Sequence, residues 1–188
     1  AFNLREKYNI KNNNDYTEAF SNLVNYVNNV ESYLAKAMIS KSNGHATETL
    51  TQIWRDSNLA IVYLSRIPFE NNGLTQTAKF LNQVSDYSYS LSRKNIDGKE
   101  LGKEEFDNLK QLHNYCLELE NTLNQLSEDI YNGDLSWDRL NNGVNTEFAQ
   151  AVDNVNVFSN IDDNLNEYEG LIYDGAYSDH VNKQEKKG

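Results

Sequence analysis

A chain of 188 residues is long enough to enclose a full core without a covalent staple, and its one cysteine, Cys116, excludes an internal disulfide. The formal charge of −11 argues against a nucleic-acid partner, which calls for a basic surface. With nine glycines, one proline and no strand-like alternation, long helices are the expectation, and no window reaches the ~18–20 apolar residues of a membrane-spanning helix.

Residues 1–14 carry no clean apolar stripe and read either as an N-terminal arm or as a helical extension of the first core helix. That core helix is expected from Asp15 to Ser40. There Phe20, Leu23, Val27, Val30, Leu34 and Ala37 alternate by three and four residues, the spacing that keeps one face toward a core, and Asn43-Gly44 should end it. A second helix should open at Thr47 as N-cap and turn Leu50, Ile53, Trp54, Ser57, Ile61 and Leu64 inward before Pro68 stops it. The third, from about Leu74 to Lys94, should bury Leu74, Ala78, Leu81, Val84, Ser88 and Leu91. Its other faces carry Phe80, Tyr87 and Tyr89, which implies neighbours on more than one side. The fourth is the most regular. Phe106, Leu109, Leu112, Cys116, Leu119, Leu123, Leu126 and Ile130 hold the spacing over about 25 residues, or ~38 Å of helix, and Gly133 closes it.

Four such stripes joined by short loops predict an all-α antiparallel bundle, with shorter C-terminal helices packed along it. LSWDRLNN (135–142), residues 146–160 and NLNEYEG (164–170) supply those shorter pieces, through Trp137, Phe148, Val152, Val155 and Tyr168. The expected organisation is an arm or extension over 1–14, a bundle domain over 15–170 and a linker over 171–188, where periodicity is lost.

The chemistry-bearing residues do not converge on a catalytic pattern. His45, His113 and His180 are scattered, and the HExxH, GxSxG, GxGxxG and P-loop signatures are all absent. His113 and Cys116 share a helix face, the spacing of a base-activated thiol, but Cys116 lies on the apolar stripe, where cysteine behaves as a small hydrophobe. The loop Arg93–Glu104 places Asn95, Asp97, Gly98 and Glu104 at calcium-loop positions 3, 5, 6 and 12. Arg93 stands where the first carboxylate must ligate, so a helix-to-helix turn through Gly98 is the better reading. Asp162, Asn164 and Asn166 repeat that spacing, with Glu167 where the glycine is required. Glu104, Glu105, Glu118 and Glu120 read as solvated helix charge, the first two also favouring the helix N-terminus. No catalytic residue, metal or cofactor is assigned.

Binding is the more informative direction. Between Glu128 and Asp174 eleven acidic residues face a single base, Arg139, which concentrates −10 of the net charge in one segment. This is either a solvated surface or a docking face for a basic partner, with Asp162, Asp163 and Glu167 its candidate contacts. Tyr87 and Tyr89, two residues apart, do not fit one narrow buried stripe, so core packing and partner contact both stay open for them.

The run FLNQVSDYSYSLSRKNIDGKEL (80–101), with TETLTQIWRDSNLA (47–60) before it and NLKQLHNYCLELENTLNQL (108–126), LSWDRL (135–140) and GLIYDGAYSDH (170–180) after it, resembles the germination protein YpeB family of spore-forming bacteria. The resemblance spans roughly residues 15 to 180. It implies a non-enzymatic protein, anchored at the outer face of the inner spore membrane by a helix preceding this region and followed by PepSY repeats; the absence of a methionine at Ala1 then reads as trimming. It also implies a partner, the cortex-lytic enzyme SleB, whose localisation, stability and restraint the domain would support, and it leaves homodimerisation open. The alternative function is an extracytoplasmic helical sensor that binds a small ligand between its helices.

Overall fold

The structure, a computed structural model of the chain, describes residues 3–40, 43–67 and 72–138. Over these residues it is all-α: α1 spans Leu4–Ile39, α2 Asn43–Leu64, α3 Asn72–Ile96 and α4 Lys103–Tyr131. The packed neighbours are α1 with α2, α2 with α3, and α1 with α4. Paired residues run in opposite directions along the α1–α4, α2–α3 and α3–α4 seams, with Trp54–Tyr89 and Lys94–Glu105 as further pairs on the last two. Thr17 meets Trp137 and Val27 meets Cys116 between α1 and the chain of α4, Thr47 meets Asn95 between α2 and α3, and Tyr87 meets Asn108 between α3 and α4. The bundle is therefore antiparallel, as the short connections require.

The predicted stripes of the first and fourth helices are largely buried, as are Leu50 and Ile53 of α2 and Leu81 and Val84 of α3. Leu23, Val27, Val30 and Leu34 of α1 and Leu109, Leu112, Leu119 and Leu123 of α4 are all buried. On α2 and α3 many of the buried residues are small: Ser57 and Ala60 on one, Ser85, Ser88 and Ser92 on the other. Small side chains let packed helices approach closely. Two of these hydroxyls are satisfied within their own helix, Ser57 Oγ donating to the Ile53 carbonyl at 2.6 Å and Ser92 Oγ to that of Tyr89 at 2.7 Å. Phe80 supplies the bulk on α3, 1% exposed.

Three boundaries differ from expectation, each for a local reason. The first helix begins at Leu4 rather than near Asp15, so residues 4–14 are helical and continuous with it. Its start is set by a capping box: Asn3 Oδ1 accepts from the Glu6 amide at 2.9 Å while Glu6 Oε2 accepts from the Asn3 amide at 3.2 Å. Asn43-Gly44 opens α2 instead of ending α1, which terminates where Ser40 turns extended. Thr47 thus lies inside α2 and is not its cap; its Oγ1 accepts from Asn95 Nδ2 at 2.6 Å. Finally, α3 runs on to Ile96, and Gly98, at φ +80°, makes the turn toward α4.

Past α4, Gly133 (φ +79°) redirects the chain and Trp137 returns it to α1. The indole is 5% exposed, edge-on to Tyr16 and Phe20 at 6.0 and 5.8 Å, and its Nε1 donates to Thr17 Oγ1 at 2.9 Å. The helices expected over 146–160 and 164–170 and the linker over 171–188 lie outside the described residues.

Candidate functional site

The two tyrosines singled out for partner contact have different addresses. Tyr87 is 5% exposed, and its hydroxyl accepts from Asn108 Nδ2 at 3.1 Å, an internal tie between α3 and α4. Its place is the core, with no ring face toward solvent. Tyr89 is half-buried on the flank between α2 and α3, where its ring meets Trp54 with centroids 5.7 Å apart and planes tilted by 43°. The stripe on α2 predicts an inward Trp54, but that residue is 40% exposed. Ile53 takes the central position on α2, and Trp54, about 100° further round the helix, reaches only its edge. The inward position on the opposite flank goes to Asp56, wholly buried, whose Oδ1 accepts from Arg55 Nε at 2.8 Å. Trp54 and Tyr89 form an aromatic surface contributed by two helices. Asp162, Asp163 and Glu167 lie outside the described residues.

The α1–α4 seam contains polar groups that the sequence assigned elsewhere. His113 Nε2 donates to Glu31 Oε1 at 2.7 Å, so the imidazole is directed across the seam rather than toward Cys116. Cys116 is fully buried, its Sγ near the Val27 carbonyl at 3.8 Å, and burial, together with the charges of Glu120 and Glu31, pushes its thiol well above the ordinary range. Such a thiol is a core residue. Glu120, expected on a wet face, has a buried carboxylate oxygen beside Glu31.

The Arg93–Glu104 loop is held by the protein's own groups. Asn95 bonds to Thr47, and Lys94 pairs with Glu105. Glu105 also accepts from the Gly102 amide at 2.8 Å, closing the start of α4. The Lys94 ammonium, foremost, holds the Glu105 carboxyl below its usual range. Among the described residues no group of three or more His, Cys, Asp or Glu is arranged to hold a metal. A groove of about 310 Å³ between the start of the bundle portion of α1 and the end of α2 is lined by Asp15, Tyr16, Glu18, Ala19, Tyr63 and Arg66. Arg66 lies over the Tyr63 ring at 4.9 Å, and Tyr63 stacks on Tyr26 at 5.6 Å.

Over the described residues, fold and surface together define a helical bundle whose internal polar groups tie helices to one another and which carries an aromatic pair on the α2–α3 flank. No helix among the described residues is long and apolar enough to cross a membrane. The chain belongs to the YpeB N-terminal family, whose pattern it matches over residues 4–139. It is similar to the sporulation protein YpeB of Halalkalibacterium halodurans, 26% identical over 93% of this chain and 40% of the relative. The sporulation protein YpeB of Bacillus subtilis is 23% identical over 92% of this chain and 39% of its own length, and that of Oceanobacillus iheyensis 21% identical over 79% and 33%. The chain thus spans two fifths or less of these relatives. No solved structure matches it.

Proposed function

We propose that this domain acts by binding, as the non-enzymatic N-terminal module of a sporulation protein whose partner is the cortex-lytic enzyme SleB. The carrying observation is the Trp54–Tyr89 pair. Tryptophan and tyrosine dominate the energetics of protein interfaces, because each offers a large rigid apolar body at small entropic cost, and here two helices hold both rings in place. Membership of the YpeB family supports the sporulation setting. In this reading the protein is held at the outer face of the inner spore membrane, and association stabilises both partners by mass action while restraining the lytic enzyme until germination. The acidic stretch, Asp162, Asp163 and Glu167 among it, assists encounter with a basic surface on that enzyme.

The test is a kinetic titration of the chain with the purified enzyme. Trp54→Ala and Tyr89→Ala should each speed dissociation at least tenfold, corresponding to roughly 1.4 kcal/mol or more, with little dependence on salt. Joint neutralisation of Asp162, Asp163 and Glu167 should slow association, most at low ionic strength. Wild-type dissociation rates in both aromatic variants would remove this face from the interface.

A further inference from the structure

The α1–α4 seam brings two carboxyl groups together and leaves a buried oxygen of one of them, Glu120, without a donor. Glu31 of α1 accepts from His113 of α4, and Glu120 of α4 lies within hydrogen-bonding reach of Glu31. Glu120 Oε2 is buried, and no donor among the described residues reaches it; Asn28 Oδ1, three residues before Glu31 on α1, is a second buried acceptor in the same condition. Two carboxylates offer each other only lone pairs, and a buried acceptor without a donor carries its full desolvation penalty. A proton on one of them turns that repulsive contact into a short, strong O–H···O bond.

We infer that Glu120 carries a proton and donates it to Glu31 across the α1–α4 interface, so that this contact is firm in mildly acidic solution and loosens as the pH rises. Glu120 is the natural carrier, because Glu31 already accepts from His113. The groups that face Glu120 are Glu31 from α1 and His113 and Cys116 from α4. Burial, first, and then the Glu31 charge raise the Glu120 carboxyl above its ordinary range, while His113 opposes them. A carboxyl whose pKa is higher in the folded than in the unfolded chain contributes stability that is complete below the unfolded value and is lost as pH climbs through the folded one.

Other groups impose slopes of their own. Burial also raises Asp86, which gives the same sign, and Lys94 lowers Glu105, which gives the opposite one. The informative quantity is therefore the difference between the wild-type chain and Glu120→Gln, an isosteric variant whose amide donates to Glu31 without titrating. From about pH 4 to about pH 8, the wild-type thermal midpoint should fall by several degrees relative to that of Glu120→Gln, and Glu31→Gln should displace the wild-type fall to lower pH by removing the like charge. A carbon NMR titration of the side-chain carboxyls in the wild-type chain needs no variant, and should show Glu120 titrating clearly above the ordinary glutamate value of about 4.3. Parallel midpoint curves for wild type and Glu120→Gln, or a Glu120 carboxyl titrating at the ordinary value, would overturn the assignment of the proton to Glu120.

Discussion

Leu119→Ala is expected to destabilise the domain by about 2–5 kcal/mol, and Leu123→Ala by a similar amount, as read from urea unfolding with the thermal midpoint as a second measure. Both side chains lie on the face of α4 that packs into the centre of the bundle, at 0% and 2% exposure. Alanine at either position removes transfer energy and leaves a cavity that close-packed helices fill poorly. A loss below about 1 kcal/mol at both would show that α4 is not central to the core.

Trp137→Ala should cost about 3–5 kcal/mol, a large effect for a residue beyond the fourth helix. Its indole is packed edge-on against Tyr16 and Phe20, and its Nε1 donates to Thr17, so one side chain secures the returning chain to α1. Trp137→Phe separates the two contributions. It keeps most of the apolar contact while removing the donor, and the remaining loss should be about 1 kcal/mol. Equal losses for both variants would assign the effect to the hydrogen bond alone.

The regular stripes of the first and fourth helices were legible because their buried residues recur at the helical period without interruption, from Phe20 to Ala37 and from Leu109 to Leu126. The helix start at Leu4 was legible too, in Asn3 and Glu6, but a capping box followed by polar turns is easily missed when apolar periodicity is the guide. On α2 the pattern favoured Trp54 for the interior. The structure instead buries Asp56, whose adjacent Arg55 offers a counter-charge that hydropathy does not register. The site was less readable for a different reason. Tyr87 is committed to Asn108 and Tyr89 to Trp54, and Glu120 is set against Glu31, all across helix seams; periodicity reports which face a residue occupies, but not what stands opposite.

The seams differ widely in how far apart along the chain their partners lie. Thr47 and Asn95 are 48 residues apart and Tyr87 and Asn108 only 21, whereas Glu31–His113, Val27–Cys116 and Thr17–Trp137 span 82, 89 and 120. Chain closure costs more entropy over longer intervals, and distant pairings form only after it has been overcome. On these separations the helical hairpins should form early and α4 should dock along α1 late, an order that substitutions along each seam would test through their separate effects on the folding and unfolding rates. Contacts absent from the rate-limiting barrier act on escape from the native state rather than on arrival. Substitutions in the seam that holds the two glutamates should accordingly speed unfolding more than they slow folding, which stopped-flow rates for Glu120→Gln and the wild-type chain would check.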